Sequence, residues 1–337
     1  MTTRLLAQFQ DLLATPKKCV VIPHKNPDGD ALGSCLAWAN FLSAKGHEVA
    51  VVSPNEYPAF LNWLPGQETI VKYSVSPDRA LQHIAEAGVI FTLDFNDLKR
   101  IDGLEAPVAA AAAPKVMIDH HENPVDYATI TYSQPEIGST CELVYTLIEA
   151  LDATVLNKDM AACLYTGIMT DTGSFRYPAT SSNTHTIVAA LLAQGITHEK
   201  IHQNIYDTFS AGRLRLLGIA LENLKQHPSL PAVYITLSQQ ELDACDFQKG
   251  DTEGFVNYGL RMEGIQMVVM MTENKEENRI RMSFRSKGAF PVHDFARTHF
   301  NGGGHHNAAG GVSFSSLEET VATLCNKLND WNTHFEK

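Results

Sequence analysis

Four stretches of this chain carry side chains able to hold a divalent cation or move a proton. They are His24-Lys25-Asn26-Pro27-Asp28-Gly29-Asp30, then Asp94, then Asp119-His120-His121, then Asp171 within Thr170-Asp171-Thr172-Gly173. Asp28 and Asp30 lie two residues apart in what reads as an extended segment, so their carboxylates are expected to point the same way. Left unpaired they would repel and one would resist ionising, a penalty that a divalent cation removes. Taken alone, Asn-Pro and Asp-Gly equally spell a tight turn. Neighbouring side chains on a strand diverge, so of His120 and His121 one can ligate while the other faces a substrate anion. Singly, these residues read as structural. As a set, His24, Asp28, Asp30, Asp94, His120 and Asp171 offer oxygen ligands plus imidazole, a mix that favours Mn²⁺ or Mg²⁺ and lacks the thiolates of structural zinc. Two ions roughly 3.5–4 Å apart can share one carboxylate and hold a nucleophilic water between them.

The elements that must position these groups are short apolar strands alternating with helical patterns. Val20–Ile22 reads as a buried strand leading into the His24 loop. A helix follows from about Ala31 to Lys45, with Leu32, Cys35, Leu36, Ala39 and Leu42 at helical spacing. Val49–Ser53, Val89–Leu93 and Val116–Ile118 read as further strands, the last two running into Asp94 and Asp119. Strand–helix–strand repetition predicts a parallel sheet covered by helices, with ligands at the carboxyl ends of the strands. Ala106–Pro114 reads as an Ala/Pro-rich connector. Ser139-Thr140-Cys141-Glu142 carries a capping-box pattern that opens a helix, and a helix from about Asp159 to Met169 leads to Asp171. Asn183–Lys225 is helical in pattern and breaks at Gln226–Pro231, where the domain boundary is expected.

The second half is read as strands Ala232–Leu237, Met267–Thr272 and Ile280–Arg285, a helix from about Pro291 to Phe300, and a C-terminal helix. Strand alternation places Arg279, Arg281, Arg285 and Lys287 on one face. Arg279 and Arg281 read as the solvated side of a half-buried strand. Arg285 is the better candidate for bidentate phosphate recognition. Gly302–Gly311 reads either as a structural glycine-rich turn or as a loop that brings backbone N–H groups to a phosphate. No G-K-[ST] follows, so it is not a P-loop.

Length and charge bound the alternatives. The chain has 337 residues, 44% of them hydrophobic, and a net charge of −12. That is room for two domains with sizeable cores, and an odd balance for a protein that grips long nucleic acid by its phosphates. The six cysteines form no C-x-x-C pair and sit mostly in apolar stretches, which reads as buried thiols in a reducing compartment. The N-terminal stretch lacks a signal-peptide core, and no run approaches the roughly 20 apolar residues of a membrane span. A cytoplasmic protein without membrane partners is expected, with homodimerisation left open.

Taken in order, H-K-N-P-D-G-D-A-L-G-S, the Asp94 strand end, D-H-H and T-D-T-G resemble the four motifs of the DHH phosphoesterase superfamily, and G-G-G-H-H-N-A-A-G resembles the signature of the DHH-associated C-terminal domain. The resemblance covers nearly the whole chain and is nearest to the nanoRNase type, which combines oligoribonuclease and 3′-phosphoadenosine-5′-phosphate phosphatase activities. It implies an α/β fold: a parallel-sheet DHH domain over residues 1–190, a helical linker over 191–230, and a smaller α/β substrate-binding domain over 231–337, with the active site in the cleft between them. It implies two Mn²⁺ ions (Mg²⁺ as the alternative), one on His24 and Asp28, the other on Asp30, His120 and Asp171, with Asp94 bridging. His121 would contact the scissile phosphate and Asp119 would orient the histidines. Arg285, Gly303, Gly304 and His305 would bind substrate, with Asn26 as a further contact. The implied substrates are oligoribonucleotides of two to about five residues, pApA-type dinucleotides included, hydrolysed to nucleoside 5′-monophosphates, together with 3′-phosphoadenosine 5′-phosphate. The competing readings are a RecJ-like single-strand DNA exonuclease, a manganese pyrophosphatase, and a non-catalytic nucleotide sensor on a decayed scaffold.

Overall fold

The computed structural model describes residues 2–335. The chain divides into two compact units, Met1–Thr208 and Phe209–Lys337. Of the segment 191–230, residues 191–208 therefore fall in the first unit and 209–230 in the second.

The first unit is built on a six-stranded, all-parallel sheet: β1 (Lys18–Ile22), β2 (Glu48–Ser53), β3 (Val71–Lys72), β4 (Val89–Leu93), β5 (Lys115–Asp119) and β6 (Ile130–Ser133), in the order β3-β2-β1-β4-β5-β6. The chain winds outward from β1 in both directions, so the strand order reverses between β1 and β4. That switch point leaves a crevice at the carboxyl ends of the two strands, and His24 and Asp94 follow those ends directly. Both sheet faces are covered, which is why β1 and β4 read as unbroken apolar runs. Cys19 and Val21 enter one core; Val20 and Ile22 enter the other.

Helices α1 (Thr3–Leu12), α2 (Gly29–Ala44), α3 (Pro77–Glu86), α4 (Glu105–Ala110), α5 (Thr140–Asp152), α6 (Lys158–Asp171), α7 (Ser182–Ala193) and α8 (His198–Tyr206) complete the unit. The Ala/Pro-rich connector at 106–114 is thus partly helical. Its alanines propagate a short helix once Pro107 stands in the first turn, where no N–H is needed. α2 and α6 cross closely because glycines line the contact. A Cβ on Gly29 would lie 2.5 Å from Thr170 Oγ1, one on Gly33 would strike the Cys163 carbonyl, and one on Gly167 would lie 2.7 Å from Asp30 Oδ1.

The second unit holds a mixed sheet, β7 (Lys225–Gln226), β8 (Ala232–Leu237), β9 (Met267–Asn274), β10 (Arg279–Ser286), β11 (Gly303–His305) and β12 (Ala308–Ser313), ordered β11-β12-β10-β9-β8-β7. Only β8 and β9 pair in parallel. Residues 227–231 form the turn between β7 and β8. Helices α9 (Ala211–Glu222) and α10 (Gln239–Ala244) pack on one side of this sheet, and α11 (Val292–His299) and α12 (Leu317–Asp330) on the other. The glycine-rich stretch is not a loop. Gly303, Gly304 and His305 pair with Gly310, Ala309 and Ala308 as a two-residue-turn hairpin at the sheet edge. Glycine is required there for close approach: a Cβ on Gly302 would sit 2.1 Å from the Gly310 carbonyl oxygen, and one on Gly304, at φ 145°, 2.4 Å from the Ala308 carbonyl oxygen. All six cysteines are free thiols, five of them buried. No helix among the described residues is long and apolar enough to cross a membrane.

Candidate metal centre

Asp28 and Asp30 do not lie in an extended segment. Asp28 is the N-cap of α2, its Oδ1 accepting from the N–H groups of Asp30 (3.1 Å) and Ala31 (3.0 Å), and Asp30 is already in the first helical turn. The helical turn sends the two carboxylates apart. Asp28 Oδ2 faces His24 Nε2 at 3.8 Å, and Asp30 Oδ2 faces His120 Nε2 at 3.9 Å.

Asp94 stands between them. Its φ of 66° bends the chain off the end of β4, a left-handed conformation that Asp tolerates better than most residues. Its Oδ2 lies 3.5 Å from His24 Nε2 and its Oδ1 lies 3.5 Å from His120 Nε2. Asp171, the last residue of α6, places Oδ2 at 3.3 Å from the same His120 nitrogen. Among the groups of ligand-type atoms that lie within 4.8 Å of one another are His24/Asp28/Asp94 and Asp30/His120/Asp171, with Asp94 in one and its second oxygen turned to the other; Asp94 also groups with Asp119 and His121. The ring tautomers suit a cation. His24 Nδ1 donates to the Lys25 carbonyl (2.8 Å) and His120 Nδ1 donates to the Ile137 carbonyl (3.1 Å), so Nε2 is the atom of each ring turned to the carboxylates and offered to a cation.

Without a cation this arrangement is strained electrostatically. Burial, and then the neighbouring Asp94, push the Asp30 carboxyl up to about 8. Burial, then Asp28, hold Asp94 well above the usual carboxylate range. Asp171 is raised too, by burial first, against the pull of His120. Burial alone would lower His120, but Asp171, Asp94 and Asp30 raise it to about 9. Carboxylates that resist ionisation, gathered around the Nε2 atoms of two imidazoles, are the donor set that hard divalent cations fit.

Sequence reasoning missed what holds Asp30. The start of α5 points at it: the N–H groups of Thr140 and Cys141 donate to Oδ2 (2.7 Å) and Oδ1 (2.9 Å), and the Thr140 hydroxyl donates to Asp94 Oδ1 (3.0 Å). The capping pattern located this helix start correctly but only half the box forms. Ser139 Oγ accepts from Glu142 N at 3.2 Å. The buried Glu142 carboxylate turns instead to the Thr184 hydroxyl, at 3.1 and 3.2 Å.

His120 and His121 both lie just past the end of β5, their rings edge to face with centroids 5.0 Å apart, and His121 makes a different bond. Its Nδ1 donates to Asp119 Oδ1 at 2.7 Å, both residues being buried. Burial, then the Arg100 guanidinium and the flanking histidines, hold His121 well below the ordinary imidazole range. Asn26 is exposed, in a left-handed conformation (φ 55°). Its backbone N–H donates to Asn55 Oδ1 (2.7 Å) and its side-chain oxygen accepts from Asn55 Nδ2 (2.6 Å).

In the second unit, Arg285, Ala308 and His305 stand opposite one another across β10, β12 and β11. Directly paired residues share a sheet face, so Arg285 and His305 flank a small alanine, two strand spacings or about 10 Å apart. The next row on that face is Ser283, Gly310 and Gly303. Arg279 and Arg281 are engaged by Glu277, at 2.6 and 2.8 Å.

The chain is similar to known proteins over most of its length. The model for the N-terminal domain of the DHH family matches residues 18–168, and the DHHA1 domain matches residues 230–333. This chain belongs to the DHH family. As a DHH phosphoesterase it is 28% identical over 307 residues to the bifunctional oligoribonuclease and PAP phosphatase NrnA of Thermus thermophilus, covering 91% of this chain and 87% of that one. It is 27% identical over 312 residues to the protein of the same name from Bacillus subtilis, covering 90% and 93%. The crystal structure of an exopolyphosphatase-related protein from Bacteroides fragilis matches with a TM-score of 0.94 at 40% identity, covering 98% of this chain and 97% of that one.

Proposed function

We propose that this DHH protein hydrolyses short oligoribonucleotides, pApA-type dinucleotides included, to nucleoside 5′-monophosphates, and releases AMP from 3′-phosphoadenosine 5′-phosphate. The observation that carries the reading is the pair of carboxylate–imidazole groups joined through Asp94, in a chain similar over 90–91% of its length to oligoribonuclease/PAP phosphatases. His24 and Asp28 would hold one Mn²⁺, and Asp30, His120 and Asp171 the other, with Asp94 shared. When bound, the two ions supply Lewis acidity at the attacking and leaving oxygens of an in-line displacement.

The chain's own residues do the rest. Thr140 and Cys141 fix the Asp30 carboxylate, and the Thr140 hydroxyl fixes Asp94. Asp119 keeps the proton of His121 on Nδ1, so Nε2 is the atom that exchanges a proton. An arriving phosphate raises the proton affinity of that imidazole, which then turns its Nε2–H to a phosphoryl oxygen. In the second unit, Arg285 and His305 would take the nucleotide's phosphate edge, and the Gly303/Gly310 floor would let a base lie flat against the strand.

The test is product analysis with pApA, a ladder of longer RNA and DNA, and 3′-phosphoadenosine 5′-phosphate, each with Mn²⁺, beside the Asp94→Ala protein. Release of AMP from pApA, declining with chain length and lost in Asp94→Ala, is expected. Preference for long single-stranded DNA would overturn the reading in favour of a processive exonuclease.

A further inference from the structure

We propose that Tyr177 is a specificity-determining residue of this phosphoesterase: its ring stacks on a nucleobase of the substrate whose phosphate is held at the metal centre. Tyr177 closes a turn that begins at Asp171, the last residue of α6. The helix ends in a Schellman motif with Gly173 in the left-handed region at φ 57°. The Gly173 N–H donates to the Thr170 carbonyl (3.1 Å) and the Ser174 N–H to the Met169 carbonyl (2.8 Å). One left-handed residue suffices for that motif. Here Ser174 (φ 58°) and Phe175 (φ 66°) follow in the same region, although L-residues visit it as single positions rather than as a run. Contacts on every side enforce the run. The Phe175 N–H donates to Thr172 Oγ1 (3.1 Å), and the Arg176 and Tyr177 N–H groups both donate to the Thr172 carbonyl (2.9 and 3.0 Å). Arg176 Nε donates to the Gly173 carbonyl (2.8 Å), the Ser174 hydroxyl donates to the Tyr206 hydroxyl (3.2 Å), and the Phe175 ring packs on Tyr165 and His185.

What the turn achieves is the placement of one ring. A Cβ on Gly173 would lie 2.5 Å from Tyr177 Cζ and 2.7 and 2.8 Å from its two Cε atoms. Those three atoms are met before the phenol oxygen, so the ring turns a face to the glycine and not its rim. Consecutive Cα atoms are 3.8 Å apart, so Gly173 Cα lies within about 7.6 Å of the Cα of Asp171. The ring is thus fixed beside the centre, yet it is 40% exposed, and no other aromatic ring among the described residues contacts it. Among the described residues of the first unit, Tyr177 and Tyr206 are the exposed Phe, Tyr or Trp rings, and Ser174 ties the second to the same turn. Backbone held in a sparsely populated region by over-determining contacts is characteristic of ligand clamps. The ligand that fits an exposed ring face next to a phosphate site is a planar base. Every base has a π-face, and the base of a single strand leaves its own stack for an aromatic side chain. A dinucleotide carries two bases, and the glycine floor of the second unit accounts for one. A phosphodiester without bases gains nothing from Tyr177.

The inference rests on the oligonucleotide reading of the centre, and substrates that lack a base separate the two. Wild type, Tyr177→Leu and Tyr177→Phe are assayed in Mn²⁺ with pApA and with its two abasic analogues, each missing one base, beside Mn²⁺ titrations and thermal melts. Tyr177→Leu keeps an apolar cover over Gly173 but has no π-face; Tyr177→Phe keeps the ring. The expected result in Tyr177→Leu is a KM for pApA raised about tenfold or more with kcat changed less than about twofold, and recovery of KM in Tyr177→Phe. One abasic analogue should reproduce that KM ratio, and the other, which lacks the base that Tyr177 holds, should give the same KM in all three proteins. The Mn²⁺ isotherm and Tm should not move. An unchanged KM for pApA in Tyr177→Leu would overturn the proposal, as would an equal KM ratio on both abasic analogues. A weakened Mn²⁺ isotherm would also overturn it, by making Tyr177 only a support of Asp171. If wild type turns over no pApA, the oligonucleotide reading falls. In that case pApA is a stable ligand whose calorimetric Kd still decides the role of Tyr177, an equal Kd in the three proteins, or no binding at all, overturning it.

Discussion

Asp119 Oδ1 sits 2.7 Å from His121 Nδ1, and the pair is buried at the carboxyl end of β5, next to Asp94. The same carboxylate–imidazole relation fixes the tautomer in hydrolytic triads. Asp119→Asn removes the carboxylate that stabilises a His121 imidazolium and offers a donor in its place, so the ring reverses its tautomer: its one proton sits on Nε2, and that atom can no longer take one up. The kcat for pApA is expected to fall between about 10²- and 10⁴-fold. The Mn²⁺ affinity is expected to change by less than about threefold, because Asp119 supports His121 rather than the ion groups. Steady-state kinetics beside a Mn²⁺ titration checks both numbers, and a parallel loss of metal binding would refute the assignment.

The stability of the metal-free protein is expected to fall as pH rises from 6.5 to 8.5. Asp30 has a folded value of about 8 against 3.8 for the ordinary carboxyl, and His120 about 9 against 6.5. For both, the folded state holds the proton more tightly. The resulting stabilisation is complete below the unfolded value and is lost as pH climbs through the folded one. His24 and His121 are shifted the other way; their penalty appears below 6.5 and is absent from this window. Thermal melts in EDTA should therefore show Tm dropping by roughly 5 °C across the interval. Saturating Mn²⁺ should abolish the drop, since ligation keeps the carboxylates ionised. A Tm that rises with pH in EDTA would contradict the electrostatics described.

Thr140→Val separates the two supports that α5 gives the centre. The substitution keeps the backbone N–H to Asp30 and deletes the hydroxyl bond to Asp94. Loss of a bond that orients a ligand typically costs 10–100-fold in metal affinity, and a Mn²⁺ titration is expected to show a weakening of about tenfold. Thr140→Ser should restore most of it. Equal affinities for all three proteins would show that Asp94 needs no such support.

Much of this was readable from the sequence, for identifiable reasons. β1, β4 and β5 announce themselves because two-sided burial makes them continuous apolar runs, and each leads within two residues to a member of the centre, at His24, Asp94 and His120. What stayed hidden depends on contacts distant in sequence. The capping pattern gives the start of α5 but not that its N–H groups aim at Asp30, 110 residues away. Asp28 and Asp30 read as extended because Asn-Pro and Asp-Gly mask a helix start whose cap is Asp28 itself. The Gly302–Gly311 stretch reads as a loop because glycine has low strand propensity. It is a hairpin whose backbones approach so closely that a Cβ on Gly302 would strike the Gly310 carbonyl and one on Gly304 the Ala308 carbonyl.

The last prediction compares two arginines of one strand. Arg281 and Arg285 both lie on β10, but Arg281 is exposed and bound to Glu277 at 2.8 Å, whereas Arg285 faces the row formed by Ala308 and His305. A charge-assisted hydrogen bond contributes about 1.5–3 kcal/mol, so Arg285→Ala is expected to lower kcat/KM for pApA about 10- to 100-fold. Arg281→Ala should stay within about twofold, the usual fate of an exposed ion pair. With bis-p-nitrophenyl phosphate, which has no nucleoside to hold, Arg285→Ala should match wild type, because the metal centre lies in the other unit and is untouched. A loss of equal size on both substrates would move Arg285 from nucleotide recognition to the chemical step.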